Sequence, residues 1–227
     1  QDLGNHRVKI TYSSKASEVQ NGMCFQSRPT VRDHAGTFFW KSKDIKMTSL
    51  DIHSLHGFGM VGQHSENITM DDVDFEAPKE SGRTTAGYAD FVQMSGCKGT
   101  INISNCTFAG PHDDPINIHG TFNTVTAISS DRRTITVQYN HNETAGFPNF
   151  FEGDEVEFMT KGNMITVEDS VRTVTKVDGP DGMGGNMGDG SGNLTTIKLT
   201  LNEAVPSDVQ VNQHVVENIT YTPTVNI

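Results

Sequence analysis

Asp90, Asp113 and Asp114 are the residues whose type and spacing could do chemistry together. Asp90 opens the segment Asp90-Phe91-Val92-Gln93-Met94, and Asp114 opens Asp114-Pro115-Ile116-Asn117-Ile118, 24 residues later. In a repeating structure, equivalent positions of successive repeats lie one above another, so Asp90 and the Asp113–Asp114 pair are expected to cluster. Like charges at that range raise one another's pKa, which favours keeping at least one carboxyl protonated. A protonated carboxyl for the leaving oxygen, with a carboxylate to activate water or attack directly, is the equipment of glycoside hydrolysis. Three carboxylates on one face also suit an inverting scheme, whose wider gap holds the water. Asp-Asp-Pro is equally an ordinary turn sequence in which Asp bonds its own backbone. The alignment with Asp90 is what favours chemistry.

Further candidates surround this trio. His119 follows the Asp pair and could bond a sugar hydroxyl, orient a carboxyl, or simply stack. Gln63 and His64 fall at a corresponding place earlier in the chain and read as structural. Trp40 could form a platform for the apolar face of a sugar, although its place in Phe38-Phe39-Trp40 equally suits core packing. Arg83, in the polar stretch before Asp90, is a candidate specificity residue or a solvated loop arginine. No Lys or Arg is expected to accompany the three aspartates. That counts against a lyase, which needs a basic residue as base, and against a uronate-cleaving hydrolase.

The elements that must position these residues show as repeats. Asp44–Ile52, Asn67–Phe75, Gly99–Phe108 and Asn218–Ile227 alternate apolar and polar residues, the strand signal. A second series interleaves with them: Thr37–Trp40, Gly59–Gly62, Asp90–Met94 and Asp114–Ile118. Two or three short strands in each period of about 22–24 residues is the repeat of a parallel β-helix. The sequence therefore predicts an all-β chain whose residues 1–121 form a right-handed parallel β-helix solenoid. Residues 122–212 lack the period and are expected to form an inserted antiparallel β-barrel or sandwich. Its predicted strands are Asn123–Ile128, Thr134–Tyr139, Asp154–Met159, Ser170–Val177 and Thr195–Leu201, with a hairpin turn at Ser130-Asp131 and an exposed glycine-rich loop over Asp178–Gly192. Residues 213–227 are expected to return to the solenoid. Both chain ends fall within the repeat and lack a polar cap, so the chain is expected to be an excised portion of a longer protein.

Composition agrees with a β-rich, turn-rich chain: only 34% of residues are hydrophobic and 22 are glycine. A net charge of −11 with scattered basic residues argues against a nucleic-acid partner. Cys24, Cys97 and Cys106 make no disulfide framework or zinc pattern and are expected as buried free thiols. No apolar run is long enough to span a membrane, and Gln1-Asp2-Leu3-Gly4 opens directly into polar sequence. Asn67, Asn102, Asn105, Asn142, Asn193 and Asn218 match the glycosylation acceptor pattern, but several are expected to stack within strands instead. Asp178, Asp181 and Asp189 could bind calcium, yet their spacing matches no EF-hand. No metal site is assigned.

Three stretches carry a family resemblance: Gly57–Asn67, Tyr88-Ala89-Asp90-Phe91-Val92-Gln93, and His112-Asp113-Asp114-Pro115-Ile116-Asn117-Ile118-His119-Gly120-Thr121. Together they resemble glycoside hydrolase family 110, exo-acting bacterial α-1,3-galactosidases, some of which remove the terminal galactose of the blood group B antigen. The resemblance covers residues 1–121 and 217–227, a central part of the family's longer chain. It implies an inverting mechanism, with Asp113 as general acid and Asp90 and Asp114 sharing the role of base. It also implies a carbohydrate substrate, no metal or organic cofactor, and a secreted or periplasmic location. The competing readings are a polygalacturonase-like hydrolase or lyase and a non-catalytic glycan-binding protein on the same repeat.

Overall fold

The first residues make a small hairpin. β1 (Asp2–Gly4) and β2 (Arg7–Val8) pair antiparallel, and the turn between them holds Asn5 and His6 at φ of 51° and 58°. Asn tolerates that left-handed conformation better than most residues. The computed structural model describes residues 1–25, 32, 34–141, 144, 145, 147–180 and 195–227. They fall in two compact units, Gln1–Thr30, which holds this hairpin, and Val31–Ile227.

The second unit is built from β3 (Thr37–Trp40), β4 (Lys43–Ile52), β5 (Met60–Gln63), β6 (Glu66–Phe75), β7 (Val92–Ser95), β8 (Lys98–Ser104), β9 (Thr107–Phe108) and β10 (Ile116–His119). The later strands are β11 (Phe122–Ile128), β12 (Thr134–Tyr139), β13 (Glu155–Thr160), β14 (Arg172–Asp178), β15 (Thr196–Leu201), β16 (His214–Asn218) and β17 (Thr224–Asn226). Two parallel sheets run in the orders β10-β7-β5-β3 and β17-β8-β6-β4, and β9 adds to β6. β11, β12, β15, β14, β13 and β16 close an antiparallel barrel.

Alternation explains the pairing. Ile45 aligns with Ile68 and Ile68 with Ile101, while Met47 aligns with Met70 and Met70 with Ile103, so like residues stack across β4, β6 and β8. These residues share one core with Val92, Met94 and the ring stack of Phe75 on Phe91 (5.4 Å) and on Phe108 (5.1 Å). Each buried aromatic or aliphatic side chain contributes roughly 1.5–3 kcal/mol. The polar residues between them also stack. Asn67 donates to Asp44 Oδ1 at 2.8 Å and accepts from the Thr100 amide at 3.2 Å. Asn67 is thus spent on strand-to-strand bonds, as its repeat position suggested.

The expected right-handed parallel β-helix is corrected by this topology. The repeat segments assemble as separate four- and five-stranded parallel sheets beside a closed six-stranded barrel, not as a solenoid. A period of about 23 residues fixes which segments pair in parallel and which residues share a face. It does not fix how the resulting sheets are closed, because that depends on the connections rather than on the strands. The all-β character stands, and the described residues hold only two single 3-10 turns, Lys79–Ser81 and Ile219–Tyr221.

In the barrel the observed strands lie within two residues of those read from alternation. A core of Val125, Ile135, Val137, Tyr139, Phe158, Leu199 and Leu201 fills its interior. Its sixth strand comes from His214–Asn218, after which β17 joins β8 in parallel. The three cysteines are unpaired. Cys97 is buried, and burial pushes its thiol pKa up to about 11. Cys24 is exposed and Cys106 half-buried, contrary to expectation. Residues 181–192 of the glycine-rich loop, with Asp181 and Asp189, and also Asn142 and Asn193, lie outside the described residues. Among the described residues no helix is long and apolar enough to cross a membrane.

Candidate active site

β7 and β10 lie side by side with Val92 opposite Ile116 and Gln93 opposite Asn117. The pairing extends upstream, since the Phe91 amide donates to the Asp114 carbonyl at 3.1 Å and the Val92 amide to the Pro115 carbonyl at 3.2 Å. Asp90 and the Asp113–Asp114 pair are therefore set at the same end of neighbouring strands, as their spacing predicted. Arg32 ties them together. Its guanidinium donates to Asp113 Oδ2 and lies 3.7 Å from Asp90 Oδ1.

The carboxylates sit in different surroundings. Asp90 is 2% exposed, whereas Asp113 is 41% exposed and Asp114 is also exposed. Burial pushes the Asp90 pKa above its ordinary value. A hydrogen bond from Asn117 and the charge of Arg32 oppose that rise, while the charges of Asp113 and Asp114 add to it. Asn117 donates to Asp90 Oδ2 at 3.2 Å. Asp90 Oδ1 is buried with no hydrogen-bond partner among the described residues.

A cleft of about 380 Å³ opens beside Asp90. Its floor is Phe58, Asp90, Gln93, Asn117 and His119, with Arg32 at one side. Phe122, Asn140, His141 and Thr144 line it from the barrel. A volume near the lower end of ordinary ligand pockets suits one sugar ring. Alternation explains the floor: Gln93, Asn117 and His119 project on one face of the parallel sheet, while Val92, Met94, Ile116 and Ile118 project on the other, toward the core.

His119 is thus brought to the cleft. Trp40 is not, because its indole stacks with Phe38 at 6.3 Å and meets the edge of His64 at 5.4 Å. His64 itself is packed by Trp40, Phe151 and Tyr221, and burial with the Lys41 charge lowers its pKa to about 4. Gln63 is buried as well. Arg83 is exposed and does not line the cleft.

Arg32 is the largest departure from the sequence reading, which placed no basic residue beside the aspartates. It lies outside every repeat of the sequence, so no periodic signal marked it. Gln93 and Asn117 were also missed. They occupy matching positions in Val-Gln-Met and Ile-Asn-Ile, and that match was a usable signal.

Asp90 lines this cleft, Asp113 and Asp114 do not, and Arg32 joins Asp113 to the cleft-lining Asp90, so the carboxylates are of unequal burial and only one faces the cavity. The chain is 47% identical over 226 residues to a protein of Streptomyces avermitilis named alpha-1,3-galactosidase A, covering 100% of the chain and 35% of that protein. It is 43% identical to the protein of the same name from Peterkaempfera griseoplana, over 97% of the chain and 30% of the relative. The protein of that name from Akkermansia muciniphila is 30% identical over 100% of the chain and 35% of the relative. No family model matches the chain. Along its whole length the chain is homologous to proteins named alpha-1,3-galactosidase, which is consistent with a central fragment of a glycoside hydrolase family 110 protein. It spans about a third of the length of these relatives.

Proposed function

We propose that this chain carries the catalytic aspartates of a glycosidase that removes terminal α-1,3-linked galactose with inversion. Asp113 protonates the glycosidic oxygen as its bond to C1 breaks. A water attacks C1 from the opposite face and loses its proton to Asp90, with Asp114 sharing the load. The released sugar is then β-galactose. The observation that carries the reading is the Arg32 bridge between Asp113 and Asp90 beside a one-sugar cleft. Accessible Asp113 can meet a leaving oxygen, while buried Asp90 offers a desolvated base. The names of the relatives support the substrate class, and blood group B-type or linear α-galactosides are both proposed substrates.

Arg32 also favours a second reading, since a guanidinium could pair with the carboxylate of a uronic acid. Its existing engagement with Asp113 and Asp90 weighs against that, because no charge is left over for the substrate.

Proton NMR of the full-length protein with an α-1,3-galactobioside tests the proposal. Initial β-galactose, abolished by Asp113→Asn, is the expected result. Initial α-galactose would overturn inversion. Release from a digalacturonide alone would favour the second reading.

A further inference from the structure

Asp90 presents a problem for any reaction in which it serves as base. A carboxylate buried in a protein prefers to be protonated, and two further carboxylates stand close by. A protonated Asp90 cannot take a proton from water. Something in the fold must hold it ionised.

The two Asp90 oxygens are treated differently. Oδ2 accepts the Asn117 side-chain amide at 3.2 Å, and Oδ1 makes no hydrogen bond among the described residues. Asn117 comes from the adjacent strand β10, the strand that follows Asp113 and Asp114. Its side chain shares a face with His119 and stands opposite Gln93 across the ladder. The proposed acid thus lies just before strand β10, which carries, three residues past Asp114, an amide aimed back at the base.

We propose that Asn117 is a positioning residue that holds Asp90 as the ionised base. This rests on the reading of Asp90 as base. An amide N–H donates to a carboxylate and gives far less to a carboxylic acid, so the bond stabilises the ionised form. It also fixes the carboxyl rotation, because a single donor on Oδ2 turns the other oxygen toward Arg32, whose Nη1 lies 3.7 Å away. The charged and titratable groups facing Asp90 are Arg32, Asp113 and Asp114, with His119 and His141 across the cleft. Among them Arg32 and Asn117 favour the anion, and the two aspartates oppose it. Asn117 is the donor fixed to a sheet strand.

The test is the pH profile of kcat/KM for the full-length protein with an α-1,3-galactobioside, comparing wild type, Asn117→Ala and Asn117→Ser. Loss of the donor is expected to move the acidic limb up by about one pH unit, the effect of one charge-assisted hydrogen bond. Serine keeps a donor and is expected to restore part of that shift. A fall in rate at every pH with the limb unmoved would overturn the proposal, since that marks only damaged packing. A carbon-13 titration of the Asp90 carboxyl, assigned with Asp90→Asn, reads the same quantity without turnover. If no galactoside is cleaved, the reading of the substrate falls, and the titration still decides about Asn117. An unchanged midpoint in Asn117→Ala sinks the inference, and a raised one supports it.

Discussion

Gln93 Nε2 lies 3.4 Å from His119 Nε2, while His119 Nδ1 stands 2.8 Å from the Gly120 carbonyl oxygen. A carbonyl only accepts, so Nδ1 carries the ring proton and Nε2 accepts from the Gln93 amide. That relation sets which way the amide faces. It leaves Gln93 Oε1 buried with no partner among the described residues.

A buried carbonyl without a donor costs roughly 1–3 kcal/mol, a cost that sites built for a hydroxyl carry. Gln93→Leu keeps the shape and removes the unpaired oxygen. It is expected to hold or raise the thermal midpoint while lowering kcat/KM by about tenfold. A less stable variant with full activity would place Gln93 in the structure and not in recognition.

Arg32 reaches both proposed catalytic carboxylates. Arg32→Gln removes the charge that joins them and is expected to lower kcat/KM by on the order of tenfold, the equivalent of about 1.4 kcal/mol. Arg32→Lys keeps a cation without the planar fork and should fall between the two. Steady-state kinetics on the three proteins decide. Equal loss in both variants would show that geometry outweighs charge.

Gly59 packs directly under the Asp90 backbone. Its φ is 75°, and an added Cβ would stand 2.0 Å from the Asp90 carbonyl oxygen and 2.8 Å from that of Phe91. Gly59→Ala therefore strains its own backbone and pushes Asp90 out of register. Lower thermal stability together with at least a tenfold loss of kcat/KM is expected, since small displacements at a reacting centre are costly. Wild-type activity in this variant would mean that Asp90 tolerates movement.

Burial raises the Asp90 pKa above its ordinary 3.8. Between those two values the folded chain keeps a proton that the unfolded chain has released, so stability falls as pH rises through that window. Asp90→Asn escapes this cost. Its unfolding temperature is expected to exceed that of wild type at neutral pH, with the gain gone once pH falls below about 4. Calorimetry at several pH values measures it, and a gain that persists in acid would point to packing instead.

In the barrel, Glu157 and Glu217 stand directly opposite each other on β13 and β16. Burial and then the Glu157 charge push the Glu217 pKa upward. Above that raised value Glu217 is charged, and its repulsion from Glu157 opposes folding. Glu157→Gln should therefore stabilise the fold by about 0.2–1 kcal/mol at neutral pH. The gain should fade as acid protonates Glu217, and denaturant melts at two pH values test this.

Much of this protein is legible in its sequence by itself. Period-two alternation placed the strands, and the 24-residue step from Asp90 to Asp114 placed both aspartates at the same end of neighbouring strands, because matched spacing in parallel segments means matched register. The same matching would have exposed Gln93 and Asn117. Tertiary structure alone decided the rest. Alternation describes a strand and its faces, so it left open how sheets close, and the solenoid gave way to separate sheets with a barrel. Only packing separated buried Asp90 from exposed Asp113, since the two are chemically alike in sequence. Arg32 lies outside every repeat and is bound to the aspartates by charge across a long stretch of chain, and charge attraction carries no sequence period.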